Sequence, residues 1–106
     1  MGFAILLVLP LAGCASWEGA HLYRSGTAAL DRGEPERAIS DLERAAELVP
    51  TASEIQNHLG LAYTAASRDA DARLAFRRAV DLDCTNRAAA DNLWVAEQRI
   101  RGEAQP

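Results

Sequence analysis

The sequence predicts an all-α fold, on three observations. Apolar residues recur at helical spacing, with Ala38, Ile39, Leu42, Ala45, Ala46 and Val49 on one face of a 3.6-residue period. No segment reads as a strand. The chain also matches itself at a shift of 34 residues: Gly26 falls on Gly60, Ala38 on Ala72, Leu42 on Phe76 and Ala45 on Ala79. Self-similarity at such a fixed period marks stacked helical hairpins, each burying its apolar face on the next.

The first element is a short apolar run, Phe3 to Leu9, followed by Pro10-Leu11-Ala12-Gly13-Cys14. It is too short to span a bilayer as a helix and has the h-region length of a secretory signal. Residues 1–13 are therefore read as a signal peptide, although no Lys or Arg precedes the apolar run. Residues 14–18 are read as a short linker. Extended at ~3.5 Å per residue, it reaches less than about 20 Å. Trp17 in this linker suits either the interfacial zone of a membrane or packing against the first helix.

The hairpins follow in order. The first, 19–52, carries Leu22, Gly26 and Ala29, then a turn at Arg32-Gly33-Glu34-Pro35-Glu36. Gly33 suits the left-handed C-terminal position and Pro35 the opening turn of the next helix. That helix carries Ala38, Leu42 and Ala45 and is ended by Pro50. The second hairpin, 53–86, opens on a predicted capping box at Thr51-Ala52-Ser53-Glu54. It carries Leu59, Gly60 and Tyr63, turns at Ser67-Arg68-Asp69 with Asp69 as expected N-cap, and continues through Ala72, Phe76 and Ala79. Cys84 at its end is expected to be a small buried residue. Thr85 or Asn86 caps a fifth helix to about Ile100, so 87–101 forms a partial third repeat and 102–106 a disordered tail.

This pattern of small and large residues resembles the tetratricopeptide repeat over about 80 of the 106 residues. Gly26 and Gly60 permit close approach of two antiparallel helices, at a helix cost of ~1 kcal/mol each. Ala29, Gln56 and Cys84 depart from the pattern: Ala29 replaces a usual Tyr, Gln56 a common large apolar residue, and Cys84 the residue matching Pro50. The resemblance implies a short right-handed solenoid of two helix-turn-helix repeats plus a C-terminal capping helix. It further implies a concave groove lined by the first helix of each hairpin. Those positions are Tyr23, Thr27 and Leu30, then Asn57, Leu61 and Thr64, then Asp91, Val95 and Gln98. An extended peptide is the implied ligand, with Asn57 on its backbone and Tyr23 and Leu61 in apolar contact. Trp94 stands where Gly26 and Gly60 stood, and is read as a plug closing the stack or as an exposed anchor.

Leu11-Ala12-Gly13-Cys14 is similar to the bacterial lipobox. That resemblance implies removal of the preceding peptide and acylation of Cys14, several acyl chains together giving stable anchoring. Ala15 in place of Asp implies sorting to the outer membrane, facing the periplasm.

Composition narrows the function. The net charge is −4, with 11 arginines, no lysine and no basic stripe, which argues against nucleic-acid binding and excludes lysine nucleophiles. With Cys14 acylated, Cys84 is the remaining thiol, so an intramolecular disulfide is excluded. His21 and His58 lie on different helices. Neither they nor Cys84 has a partner at metal-ligand spacing, so no metal, cofactor or catalytic residue is expected. The expected function is a membrane-anchored interaction module recruiting or stabilising a protein of the bacterial envelope. The alternatives are a pilotin-like assembly lipoprotein for a secretion, pilus or polysaccharide-export complex, and a homo-oligomer formed through the C-terminal helix.

Overall fold

The computed structural model describes residues 2, 4 and 12–103. Five helices follow in order: α1 Ala12–Asp31, α2 Pro35–Leu48, α3 Ser53–Ala65, α4 Asp69–Leu82 and α5 Arg87–Glu103, with no strand among the described residues. Each helix packs on its successor, and α3 also touches both α1 and α5. The arrangement is thus two hairpins, α1/α2 and α3/α4, with α5 stacked on the second.

The small-against-large pattern positions these helices. A Cβ at Gly26 would lie 2.6 Å from Leu42 Cγ, and one at Gly60 would overlap the ring of Phe76. Ala38, Ala45, Ala72 and Ala79 are fully buried beside them. Bare backbone at each crossing therefore lets a large side chain from the facing helix fill the gap at close-packed density.

Both hairpins turn by the same device, 34 residues apart. Gly33 N–H donates to Leu30 O (3.0 Å) and Glu34 N–H to Ala29 O (2.9 Å). Ser67 N–H donates to Thr64 O (3.0 Å) and Arg68 N–H to Tyr63 O (2.8 Å). These pairs satisfy carbonyls left over at the helix ends and require a left-handed residue. Gly33 adopts φ 75° and Ser67 φ 59°. A non-glycine residue there carries a steric cost of about 1–2 kcal/mol. Ser67→Gly is therefore expected to stabilise the fold by about 1 kcal/mol, read as a raised urea midpoint. An unchanged or lowered midpoint would refute the strain at this turn.

Several local expectations are corrected. Helix α1 begins at Ala12, so residues 14–18 are helical and continuous with the first repeat. The N-cap of α3 is Ala52, with no side-chain cap bond, so the capping box does not form. Instead Ser53 Oγ donates to Ala79 O (2.8 Å) while accepting from Asn86 Nδ2 (2.8 Å). Asn86 also caps α5, its Oδ1 accepting from Ala89 N–H (3.1 Å). This relay ties the starts of α3 and α5 to the end of α4.

Asp69 is not an N-cap: Arg68 holds that position and Asp69 is the first helical residue, where its charge complements the helix dipole. Its carboxylate lies 3.5 Å from Arg99 of α5. Cys84 is exposed, because it sits in the α4–α5 turn beyond the last packed residue of α4. There Asp83 accepts from Thr85 Oγ (2.6 Å) and Thr85 N–H (2.9 Å), bonds that hold its carboxyl below the usual range. Trp94 is 63% exposed, so it does not plug the stack. Helix α5 runs on to Glu103, so Gly102 and Glu103, expected in a disordered tail, continue the helix; the tail residues 104–106 and most of the signal segment, including Leu11, lie outside the described residues.

Candidate functional site

Helices α1, α3 and α5 stand side by side, and polar bridges join them at repeat spacing. The Tyr23 hydroxyl bonds His58 Nδ1 at 3.2 Å, with the two rings edge to face at 5.2 Å. One repeat later, Asn92 Nδ2 donates to Asn57 Oδ1 at 3.0 Å. Asn57 is the 34-residue equivalent of Tyr23, and Asn92 that of His58. Each junction thus uses the same two positions with different chemistry. His58 and Asn92 were not among the groove positions read from the sequence. The signal that could have found them is the period itself, applied one residue further along each first helix.

A second pair of bridges joins each second helix to the following first helix. Tyr63 Oη donates to Glu43 Oε1 (2.8 Å) and Arg77 Nη2 to Glu97 Oε1 (2.9 Å). Glu43 and Arg77 are one period apart, as are Tyr63 and Glu97. The roles of donor and acceptor are exchanged between the two junctions, so the position is retained while the residue pair changes.

The Tyr63 bridge makes a pH prediction. Burial, then the hydrogen bond and charge of Glu43, push the Tyr63 phenol up to about 12 from an ordinary 10.0, against an opposing effect of Arg68. The native state holds this proton more tightly than the unfolded chain. The associated stability is fully present below pH 10 and is lost as pH rises toward about 12. In a Tyr23→Phe background, phenolate absorbance should report one late titration that Glu43→Gln moves back toward 10. A midpoint already at 10.0 with Glu43 intact would remove the bridge.

The nine groove positions do not share one environment. Leu61, Thr64 and Val95 come together with Phe76, Asn92 and Arg99 around a small cleft of about 60 Å³ between α3 and α5. Val95 is 48% exposed, and Asp91 and Gln98 are exposed on the same helix. Thr27 and Leu30 are half-buried, and Thr27 Oγ donates to Arg24 O within its own helix (3.1 Å). Thr64 Oγ likewise donates to Gly60 O (3.0 Å). Asn57 is 4% exposed and its Oδ1 is engaged by Asn92, so it supports the joint between α3 and α5 where a peptide contact was expected. Tyr23 is half-buried against His58, and burial followed by the charge of Glu54 raises its phenol above 10.0.

What remains for a ligand is a face with an apolar cleft at one end and polar groups around it. Thr64 and Asn92 beside Leu61 and Val95 suit an extended chain that offers both apolar side chains and backbone amides. At the N-terminal end, Gly13 and Cys14 are exposed on the first turn of α1, and Trp17 is 70% exposed with its ring stacked on His21 at 6.1 Å. No helix among the described residues is long and apolar enough to cross a membrane. Among the described residues no group of three or more His, Cys, Asp or Glu is placed to hold a metal ion.

A family model described as tetratricopeptide repeat matches residues 23–92, more than half of the chain. No curated protein matches it.

Proposed function

The chain belongs to the tetratricopeptide repeat family, and from that membership we propose a lipid-anchored module of the bacterial envelope that holds an extended segment of a protein partner. Repeats of this family are protein-interaction scaffolds and are typically non-catalytic. The observation that carries the finer reading is the cleft lined by Leu61, Thr64 and Val95 on adjoining first helices. The bridges between α1, α3 and α5 hold that face in one arrangement before any ligand arrives, which lowers the ordering cost of binding.

Anchoring rests on the Leu11-Ala12-Gly13-Cys14 sequence and on the exposure of Cys14. Acylated there and sorted by Ala15, the protein would lie at the outer membrane facing the periplasm. Because α1 continues to Ala12 without a flexible spacer, the first repeat would sit against the membrane surface. Trp17, exposed one turn beyond Cys14, suits the interfacial layer.

Two experiments separate the parts of this reading. Cys14→Ser should abolish metabolic acyl labelling, and persistent labelling would refute the anchor. A photo-crosslinking residue at Val95, used in intact membranes, should capture a different protein and lose it on Leu61→Asp. A second reading draws on Trp94, which is exposed on α5: that helix would receive another copy of the chain. Crosslinks from Val95 and Trp94 to this chain alone would favour that homo-oligomer over recruitment.

A further inference from the structure

We propose that the outer face of α5 receives an α-helix of a protein partner, which completes a third hairpin in trans. That helix carries a small residue opposite Trp94 and acidic residues in its first turn. The two hairpins within the chain show how such a face is covered. Helix α2 meets α1 at Gly19, against Leu48 and Val49, and at Gly26, against Leu42. Helix α4 meets α3 at Ser53, whose Oγ donates to Ala79 O, and at Gly60, against Phe76. Their equivalents in α5 are Arg87 and Trp94. The bridges to Asn57 and Arg77 seat α5 on the second hairpin as α3 is seated on the first. This face therefore has the same outlook, yet among the described residues no helix covers it, and Arg87, Ala90, Trp94 and Arg101 are exposed.

Size specifies the residue at the crossing. In both internal hairpins a glycine of the first helix receives a Leu or Phe from the second. Trp94 reverses the arrangement: its indole would collide with a large side chain, so the incoming helix presents Gly, Ala or Ser there. Tryptophan is a frequent anchor in contacts of this kind.

Charge specifies the ends. Within α5, Glu97 pairs with Arg77 and Arg99 with Asp69, whereas Arg87 and Arg101 pair with nothing among the described residues. Arg87 stands where Ser53 donates to a carbonyl near the end of α4. A guanidinium there can bond the last carbonyls of an antiparallel helix and complements its dipole. Arg101, two turns beyond Trp94, meets the first turn of that helix, where acidic residues are already favoured. Helices α2 and α4 carry Glu36, and Asp69 with Asp71, at that place. A second copy of α5 matches this face poorly. In an antiparallel two-fold pair centred on Trp94, the two indoles meet and Arg87 of one copy faces Arg101 of the other.

The test is fluorescence anisotropy of the full chain with a labelled 14-residue probe, the Asp69–Leu82 sequence carrying Phe76→Ala. A hydrocarbon staple in place of the exposed Leu74 and Arg78 holds it helical, since a free helix of this length is marginal in water. The probe should bind saturably and move the Trp94 emission of a Trp17→Phe chain to shorter wavelength. The same probe with Phe76 retained should bind about tenfold more weakly. Trp94→Gly, which restores the glycine of the other hairpins, should exchange that preference. Arg101→Glu should weaken binding about fivefold, and lysines at probe positions 69 and 71 should recover it. No saturable binding, equal affinity for the two probes, or an unchanged preference in Trp94→Gly would overturn the proposal. So would sedimentation showing a dimer of the chain that Trp94→Gly dissolves, which would give the face to a second copy. Val95 lies about 100° around α5 from Trp94, toward the groove. Leu61→Asp in that groove should leave probe binding unchanged, so failure here and failure of the groove are distinguishable.

Discussion

Replacing Phe76 by Ala is expected to destabilise the fold by about 3–5 kcal/mol, a large share of the roughly 5–15 kcal/mol that holds a domain together. Phe76 is 2% exposed and packs with Ala72 and Ala96, so its ring serves both the α3/α4 hairpin and the seat of α5. The more specific consequence concerns Gly60. A methyl group there would strike three ring carbons of Phe76, and overpacking of this kind costs about 1–3 kcal/mol. Helix propensity alone would favour Ala by about 1 kcal/mol. Gly60→Ala should therefore destabilise the wild type but stabilise a Phe76→Ala background, where the ring is gone. Urea midpoints across the four-member cycle would show this reversal of sign. The same sign in both backgrounds would mean that the glycine is not kept for the ring.

Leu42→Ala should cost a comparable amount, about 2–5 kcal/mol. Leu42 is the largest fully buried side chain, packed on Gly26 of α1 and clustered with Leu59 and Ala62 of α3 and Ala75 of α4. Its removal opens a cavity where both hairpins meet, so neither alone can relax into the space. At about 4–8 °C per kcal/mol for a domain of this size, the melting temperature should fall by on the order of 10 °C or more. Leu74 offers the control. It lies on α4 at 46% exposure, and its truncation should stay within about 0.5 kcal/mol. Equal losses at Leu42 and Leu74 would contradict the placement of the core.

The contrast between these two leucines also measures how much was legible beforehand. Leu42 is recognisable as core because it recurs, as Phe76, opposite a glycine that also recurs. The groove was less legible. Thr64, Leu61 and Val95 do gather around one cleft, yet Asn57, at an equivalent position, is turned inward and bonded to Asn92. Position along a helix was readable. Which side chains would meet across a junction was not, because partners such as Tyr23 and His58 come together only once one repeat has stacked on the next. The left-handed turn shows the same boundary. Gly33 announces itself, while Ser67 adopts the matching conformation with nothing in its residue type to signal it.

From the chain alone came the number and order of the helices and the glycine–large-residue crossings, all consequences of local periodicity and side-chain size. Tertiary structure decided what the polar residues do. Ser53 bridges the end of α4 and the start of α5, Asp69 turned to Arg99, and Trp94 remained outside the stack. The physical reason is that apolar burial is non-directional and tolerates any neighbour of suitable volume, so its pattern can be read along one helix. A hydrogen bond needs a particular partner at a particular distance and angle, and that partner is set by how the helices pack.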